Sequence, residues 1–409
     1  MFKTLIKNPY FKEVIGFLKN KRLADNSYLV GGSVRDILLK RALIDLDFAI
    51  KGDSIKLARE LAKKIKGSFV LLDEEFSIGR VVKDSVTIDF AELRGGSIEN
   101  DLSERDFTIN AMAITLSLDK IIDPFNGAID LKNKLIRMVN EENLKADPLR
   151  ILRAYRFYAT LGFSIDETTH EALRKNAPLL KFVARERIKE ELWKILSVSE
   201  SSRTVELIIE DKLFTAIFPL SSFTSLKTDL DALRILERLL EDPKKVFNYW
   251  RGLLSINILC SLKFACLFGF QSPSLIMKLK PSKKESRFIE KLKEAGEKIR
   301  KIENLIDKVR FIKNYENILY PALLYSISKD PMGVARAWFY QDLERFHKKV
   351  YLKNKRKLPL INGEELIKLG FEPSPLIGEI LERIEMLVLM NKISKKEEAL
   401  KEIEKFKLK

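Results

Sequence analysis

The segment 29-LVGGSVRDILLKRALIDLDFAI-50 brings Gly31 and Gly32, Arg35, and the aspartates Asp45 and Asp47 into one short stretch of chain. Apolar residues before the glycines and around the aspartates predict two β-strands, and the residues between them predict a helix. In a strand, residues two apart point to the same face, so Asp45 and Asp47 project together while Leu46 and Phe48 face the core. The stretch therefore predicts a strand–helix–strand unit that presents two carboxylates on one face of a sheet.

Two carboxylates held on one face of a sheet form a hard-oxygen site, which suits Mg²⁺. Two metal ions about 4 Å apart can activate an attacking hydroxyl and stabilise a leaving phosphate. A further predicted strand, 86-VTIDFA-91, carries Asp89 between apolar neighbours and offers a candidate third ligand. The alternative is a solvated strand edge, which Asp-x-Asp by itself favours.

The glycines favour a phosphate site over that alternative. Backbone N–H groups at a strand-to-helix turn such as Gly31–Gly32 can hold phosphate oxygens, and the helix dipole adds to the attraction. Arg35 lies in the first helical turn, where its guanidinium can pair with a triphosphate. Downstream, 105-RDFTINAMAI-114 places Arg105 before Asp106, which is a candidate helix N-cap.

The overall charge indicates a polyanionic partner. The chain has 409 residues and a formal net charge of +16, which favours nucleic acid as that partner. The alternative is a lysine-rich or thermophilic proteome, in which these charges only solvate the surface. The presence of only two histidines disfavours a histidine triad or a multi-histidine metal site and favours chemistry on carboxylates, arginines or the backbone.

The two cysteines and the apolar segments predict a cytoplasmic protein that does not enter a membrane. Cys260 and Cys266 lie in the apolar run 253-LLSINILCSLKFACLFGF-270 and are interpreted as buried, reduced thiols. Because Asn257 and Lys263 interrupt this run, it is predicted to be a core helix rather than a membrane span.

Secondary-structure signals divide the chain into a mixed first part and a helical remainder. The first 137 residues carry β-type runs at 27–30, 45–50, 68–72, 78–82 and 86–91, with helical patterns at 33–40 and 54–66. Strand signals stop after about residue 140, and apolar residues then recur at helical spacing to the end of the chain. The predicted fold class is a small α/β domain with a mixed sheet, followed by an all-α remainder.

A further block, 146-ADPLRILRAYRFYATLGF-163, follows a turn-rich link. These blocks, in this order, resemble the class II tRNA nucleotidyltransferases, the CCA-adding enzyme family that also includes bacterial poly(A) polymerases. The similarity runs through 185-RERIKEEL-192 and resumes at 358-LPLINGEELIKLGFEPSPLIGEIL-381. The resemblance implies a seahorse-like multidomain architecture, with an α/β nucleotidyltransferase head at 1–137 and an all-α neck, body and tRNA-binding tail at 138–200, 201–350 and 351–409.

The resemblance also implies roles for individual residues. Asp45 and Asp47 would be the catalytic ligands of Mg²⁺, and the RNA 3′-hydroxyl would attack the α-phosphate in line, releasing pyrophosphate. The implied nucleotide-binding residues are Gly32, Arg35, Arg105, Asp147, Arg150, Arg153 and Arg156. A carboxylate accepts from an exocyclic amine and a guanidinium donates to a ring acceptor, so Asp147 with Arg150 would accept cytosine and adenine and reject uracil and guanine. The structural alternative is that Asp147 caps a helix that has Pro148 at its first position.

The sequence departs from the family pattern in two places. Ala146 stands where the family usually has glutamate, and the segment 90-FAELRGGSIENDLSE-104 is short where full CCA-adding members carry a longer flexible loop. Members without that loop tend to stop after CC, so the resemblance implies a CC-adding enzyme that uses CTP. Full CCA addition with CTP and ATP is the first alternative, followed by an A-adding enzyme or a poly(A) polymerase. An inactive RNA-binding protein is the alternative from a different class.

The predicted macromolecular partner is the acceptor and T-arm stem of tRNA. Basic patches at 278-KLKPSKKESR-287 and 353-KNKRK-357 are candidate phosphate contacts, because double-stranded RNA is recognised mainly by shape and backbone. For each patch taken alone, a solvated charged surface is the favoured interpretation.

Overall fold

The computed structural model describes residue 5 and residues 7–74, 77–218, 226–250, 254–268 and 279–407. The chain forms two compact units. The first comprises Met1–Glu191 with Leu207–Ile217, and the second comprises Leu192–Glu206 with Phe218–Lys409. The finer division into head, neck, body and tail stays a prediction.

The first unit contains a mixed seven-stranded sheet with the strand order β3-β4-β5-β2-β1-β6-β7. The strands are β1 (Ser27–Val30), β2 (Asp45–Ile50), β3 (Ser68–Asp73), β4 (Ile78–Lys83), β5 (Val86–Glu92), β6 (Ala113–Thr115) and β7 (Ile121–Ile122). Strands β2 and β5 pair in parallel, and the other neighbours pair antiparallel. The predicted mixed sheet and its five predicted strands are confirmed. Strands β6 and β7 were not predicted, because two or three residues show no alternation.

The expectation that strands end before residue 140 is wrong at one place. Strand β8 (Leu135–Ile136) pairs in parallel with β9 (Ser164–Ile165). This pairing joins residues almost thirty positions apart and involves only two residues on each side. Such a short, long-range pairing leaves no periodic signal in the sequence.

Helices fill the rest of this part of the chain. They are α1 (Pro9–Asn20), α2 (Gly32–Leu38), α3 (Ser54–Ile65), α4 (Ile98–Ser103), α5 (Gly127–Lys132), α6 (Glu141–Ala146), α7 (Leu149–Leu161), α8 (Glu167–Asn176), α9 (Arg185–Leu196), α10 (Ser201–Glu210) and α11 (Leu213–Ile217). Helix α2 can begin directly after β1 because Gly31 has a φ of +66°, in the left-handed region that favours glycine.

Aromatic packing fixes which face of β2 is buried. Phe48 packs edge-on against Phe90 with ring centroids 5.6 Å apart and stacks on Phe11 of α1 at 6.2 Å. Leu46 is also fully buried. The prediction that Leu46 and Phe48 face the core is confirmed, and side chains at the alternating positions of β2 are left on the other face.

The second unit is helical in the part that the structure describes. Its helices after residue 225 are α12 (Leu226–Glu241), α13 (Ile256–Phe268), α14 (Lys283–Ile299), α15 (Leu305–Tyr315), α16 (Leu319–Lys329), α17 (Ala337–Phe346), α18 (Leu352–Lys355), α19 (Gly363–Lys368), α20 (Pro375–Leu389) and α21 (Lys396–Lys407). Lys278, the first residue of one predicted basic patch, lies outside the described residues.

Helix α13 is the predicted core helix. Residues 260–268 are all buried, and Cys260 and Cys266 are free thiols, as expected. Lys263 is buried among them because its Nζ lies 2.8 Å from Oε1 of Glu237. Among the described residues, no helix has the length and apolarity needed to cross a bilayer. Residues 253 and 269–270 of the apolar run lie outside the described part.

Candidate active site

The glycine turn lies against the acidic strand and an arginine from elsewhere in the chain. A β-carbon added to Gly32 would lie 3.4 Å from Oδ2 of Asp47, and one added to Gly31 would lie 3.3 Å from Nη1 of Arg105. The backbone therefore approaches both charged groups closely. The fold brings together the turn, a carboxylate and a guanidinium that the sequence separates by up to 74 positions.

A buried serine aligns the two aspartates on β2. The Ser33 hydroxyl donates to the carbonyl oxygen of Asp45 at 3.1 Å and accepts from the N–H of Asp47 at 2.7 Å. Thr87, on the neighbouring β5, donates its hydroxyl to the Asp45 carboxylate. The Asp45 side chain is exposed and that of Asp47 is half-buried. The start of β2 is thus fixed to helix α2, with Asp45 and Asp47 on the same face.

Asp89, the candidate third metal ligand, is paired with an arginine. It lies directly opposite Asp47 in the parallel pairing of β2 and β5. Both of its carboxylate oxygens accept from Arg80, whose Nε and Nη2 each lie 2.7 Å away. Among the described residues, no group of three His, Cys, Asp or Glu side chains is placed to hold a metal ion. Asp45 and Asp47 stay the candidate ligands of a divalent cation.

The electrostatics of Asp47 fit such a cation. Burial raises the pKa of Asp47 to about 6, the carboxylates of Asp89 and Asp45 add to the rise, and Arg105 opposes it. Three carboxylates thus repel one another on one face of the sheet, and Arg105 offsets only part of their negative charge. Carboxylate oxygens are the donors that hard divalent cations prefer, so these residues match a divalent metal site.

Arg35 is held rigidly beside the glycine turn. Its Nη1 donates to Oδ1 of Asn110 at 2.7 Å, and its Nε donates to Oδ1 of Asp36 at 3.0 Å. The guanidinium carbon also lies 5.3 Å from the ring centroid of Phe157. Sequence reasoning missed Asn110 and Phe157, because each meets Arg35 only through the tertiary fold.

Arg105 is fixed by the short segment that precedes it. Residues 90–104 are ordered into the end of β5, a tight turn at 94–96 and helix α4. Asp101 of α4 is buried and accepts from Arg105 Nε at 3.1 Å and Nη2 at 2.6 Å. The guanidinium beside the glycine turn is therefore oriented by a carboxylate four residues earlier in the chain.

The interpretation of Asp106 as a helix N-cap is wrong. No side chain caps the short turn 108–110 that follows it, and Asp106 is instead buried. Its Oδ2 accepts from Arg153, whose Nε and Nη2 lie 2.8 and 2.7 Å away, and its Oδ1 accepts from Asn110 and the Phe107 N–H. Burial would raise the pKa of Asp106, but Arg153 and these hydrogen bonds hold it at about 2. Asp106 therefore binds helix α7 as an anion.

Three guanidinium groups surround the buried ring of Phe157. The guanidinium carbons of Arg156, Arg35 and Arg153 lie 4.0, 5.3 and 6.0 Å from its centroid. Arg156 also donates from Nε to Oε2 of the buried Glu191 at 2.6 Å. Phe157 thus connects an arginine next to the glycine turn with two arginines of helix α7.

Asp147 lies between helices α6 and α7. Its Oδ1 accepts from the N–H of Leu149 at 3.3 Å, so part of the predicted capping role is observed. Its Oδ2 accepts from Arg187 at 2.9 Å, a partner that the sequence did not indicate. The predicted partner, Arg150, donates from Nη1 to the carbonyl oxygen of Asn143 at 3.2 Å.

Family models cover most of the chain. Residues 27–98 and 94–137 match the poly A polymerase head domain. Residues 162–223 match the probable RNA and SrmB-binding site of polymerase A. Residues 263–403 match domain 2 of tRNA nucleotidyltransferases.

Individual proteins are similar either along nearly the whole chain or along part of it. A CC-adding tRNA nucleotidyltransferase of Synechocystis is 33% identical over 392 residues, which cover 92% of this chain and 93% of that protein. An A-adding tRNA nucleotidyltransferase of Deinococcus radiodurans is 41% identical over 182 residues, which cover 43% of this chain and 41% of that protein. A solved structure of a tRNA-processing enzyme with CTP has a TM-score of 0.66 and 27% identity, covering 92% of this chain and 99% of that one.

Proposed function

Because this chain belongs to the class II tRNA nucleotidyltransferase family, we propose that it builds the CC part of the tRNA 3′ terminus from CTP without a nucleic-acid template. In this reaction the RNA 3′-hydroxyl attacks the α-phosphate of the nucleotide, and pyrophosphate leaves. The observation that carries the proposal is the close approach of the Gly31–Gly32 turn, Asp47 and Arg105, with Asp45 on the same face.

The metal in this proposal is Mg²⁺, held by Asp45 and Asp47. Their hard oxygen donors and the raised pKa of Asp47 fit a divalent cation. Mg²⁺ is commonly bound by one or two carboxylates together with substrate phosphates, so two protein ligands are sufficient. When bound, it supplies neutralisation of phosphate charge and a more acidic attacking hydroxyl.

The side chains around the turn bind and orient the triphosphate. The backbone N–H of Gly32 and the guanidiniums of Arg35 and Arg105 are the proposed phosphate donors. Asn110 and Asp101 hold those two guanidiniums in fixed orientations before substrate arrives. In phosphoryl and nucleotidyl transfer, positioning and electrostatic stabilisation provide most of the catalysis, so this preorganisation is what the fold contributes.

Base choice is proposed to depend on Asp147 and Arg150. The Asp147 carboxylate can accept from the exocyclic amine of cytosine, and Arg150 can donate to a ring acceptor. Arg187 holds the carboxylate in place. Arg153 and Arg156 are bound by the buried carboxylates of Asp106 and Glu191, so we propose that they orient helix α7 and add positive charge at the nucleotide.

Two observations favour CC addition over complete CCA addition. The segment 90–104 is short and folded around Asp101 and Arg105. The Synechocystis relative, similar along nearly the whole chain, is named as CC-adding. The Deinococcus relative supports A addition as the second candidate, although its similarity covers less than half of the chain.

The test is nucleotide incorporation by the purified protein with Mg²⁺ on tRNA transcripts that end at the discriminator base, at C or at CC. Each transcript is offered CTP, ATP or both. We expect the tRNA that ends at the discriminator base to gain two C residues, and none of the CC-ending tRNA to be extended with A. An Asp45→Ala, Asp47→Ala variant serves as the matched control, and it should retain RNA affinity but lose incorporation.

Each other outcome identifies an alternative. Completion to CCA assigns the protein to the full CCA-adding enzymes. Extension of only the CC-ending tRNA with A assigns it to the A-adding enzymes, and repeated A addition indicates a poly(A) polymerase. RNA binding without incorporation by the wild-type protein would leave only the RNA-binding alternative.

A further inference from the structure

An open, basic cleft lies in the first unit outside the candidate active site. Its volume is about 610 Å³, and helix α8, the turn at 177–182 and helix α11 form its walls. The exposed side chains of Arg174, Lys181 and Lys212 line it. None of the residues that we place at the nucleotide lines this cleft.

The acidic residue at the base of the cleft is occupied by neighbouring side chains. Asp211 is buried and accepts from the Tyr155 hydroxyl at 2.6 Å, its Oδ2 lies 2.5 Å from Nε2 of His170, and its Oδ1 lies 3.8 Å from Nη1 of Arg174. Glu210 is the exposed carboxylate among the lining residues. The lining residues thus include three cationic side chains and two carboxylates, one of them buried, and this excess of positive charge attracts a polyanion.

An exposed aromatic ring stands beside the cleft. Phe182 is 74% exposed, although Leu180 and Val183 on either side are buried and anchor the chain at this point. The Nζ of Lys181 lies 4.8 Å from the centre of the ring. A single exposed apolar residue needs no explanation, but an aromatic ring held in water beside a cationic side chain is a combination that RNA-binding surfaces use.

We propose that Phe182 is a stacking platform for an unpaired base of the RNA substrate, and that Arg174, Lys181 and Lys212 bind phosphates next to that base. The proposal rests on the proposed function for the identity of the substrate. Aromatic rings stack on any unpaired base, while lysine and arginine follow the backbone, so the surface fits single-stranded RNA adjoining a helix. Phe182 also precedes α9, whose Arg187 holds Asp147, so the same stretch of chain serves both sites.

RNA fits this surface better than a protein partner does. A protein-docking surface is generally built around a contiguous apolar core with a polar rim. Here the apolar lining residues are the small Ala177, Pro178 and Ala216, and three cationic side chains line the same cleft. The cleft therefore matches the alternating phosphates and base faces of a nucleic-acid strand.

The experiment compares the full-length wild type with Phe182→Ala, Phe182→Trp and Ile129→Ala. Ile129 is the matched control, since it is a 57% exposed apolar residue of the same unit to which we assign no role. Dissociation constants are measured for an acceptor-stem RNA with an unpaired 3′ end and for the same stem with a blunt end. A 2-aminopurine in the unpaired end reports stacking directly through quenching of its fluorescence.

We expect Phe182→Ala to weaken binding of the RNA with the unpaired end by about 5- to 100-fold, the range for loss of one base–aromatic stack. The blunt RNA should bind as before, and so should both RNAs to Ile129→Ala. Phe182→Trp should restore affinity and quenching. Replacing Lys212 by Gln should lower the slope of log affinity against log salt by about 0.7 if one phosphate contact to a single strand is lost.

The stacking platform would be overturned if Phe182→Ala lost affinity equally for both RNAs, or if Phe182→Trp failed to restore quenching. It would also be overturned if Phe182→Ala bound with unchanged affinity, and the surface would then be available to a protein instead. The incorporation assay is independent of this result. If the wild type adds no nucleotide but Phe182 still governs binding of the unpaired end, the proposed function fails while the platform stands.

Discussion

Replacing Asp47 by Asn should make the metal-free protein more stable while abolishing incorporation. The pKa of this carboxyl is raised from 3.8 to about 6 by burial and by the charges of Asp89 and Asp45. At 1.36 kcal/mol for each pKa unit, keeping it ionised at neutral pH costs up to about 3 kcal/mol. Because the side chain is partly exposed to water, we expect a gain of about 1–3 kcal/mol in the free energy of unfolding.

The pH dependence follows from the direction of the pKa change. Between about pH 4 and pH 6, the folded state keeps a proton on Asp47 that the unfolded state has released. Stability of the wild type therefore falls as pH rises through this window, and the cost is then constant at higher pH. The advantage of Asp47→Asn should be smallest near pH 4 and reach its full value above about pH 6.

Asp106 provides a control of opposite sign. Its pKa is lowered to about 2, since Arg153 and hydrogen bonds outweigh the effect of burial. Ionised Asp106 therefore stabilises the fold above about pH 4, and this contribution is lost as pH falls toward 2. Asp106→Asn should lower the free energy of unfolding at neutral pH by about 2 kcal/mol or more, because the neutral amide also forms weaker hydrogen bonds with the Arg153 guanidinium.

The assay is urea unfolding at several pH values with EDTA present, repeated with Mg²⁺. Mg²⁺ should raise the stability of the wild type but not that of Asp47→Asn, because a ligand stabilises only the state that binds it. A variant that is less stable than the wild type at pH 8 would refute the electrostatic reasoning. A gain that is equally large at pH 4 would show that shape rather than charge is responsible.

Three further experiments test other parts of the structure. Phe157→Leu should raise the KM for CTP several-fold, whereas Phe107→Leu, whose ring packs edge-on against it, should leave KM unchanged at a similar cost in stability of about 1 kcal/mol. Steady-state kinetics with denaturation curves separate the two effects. Asp147→Asn should increase UTP incorporation relative to CTP by about tenfold or more in competition assays, because an amide can also donate a hydrogen bond. Lys263→Met should destabilise the protein in urea by about 3–5 kcal/mol by leaving Glu237 buried without its cation, and adding Glu237→Gln should recover most of the loss.

The elements that carry a periodic pattern were predictable from the sequence. The alternation of Asp45, Leu46, Asp47 and Phe48 predicted both the strand and its two faces, because strand geometry makes that pattern depend on local residues alone. The helix after the glycine pair was predictable for the same reason. A family resemblance added the order of the blocks and the expected roles of their polar residues.

The contacts that orient those residues were not predictable. Asp106 and Arg153 are 47 positions apart, and nothing local indicates that they form a buried ion pair. The pairing of Arg80 with Asp89 depends on the register of β4 against β5, which short strands do not specify. Phe157 has the pattern of an ordinary core residue, and only the tertiary fold places three guanidiniums around it.

The most direct test of the central claim is single-nucleotide extension of tRNA that ends in CC, with ATP and Mg²⁺, beside extension of tRNA that ends at the discriminator base, with CTP. The short, folded segment between Asp89 and Arg105 predicts that the tRNA ending at the discriminator base gains two C residues and that the tRNA ending in CC gains no A. Efficient addition of A to the CC-ending tRNA would contradict the account, because the segment would then support the step that we assign to a longer loop.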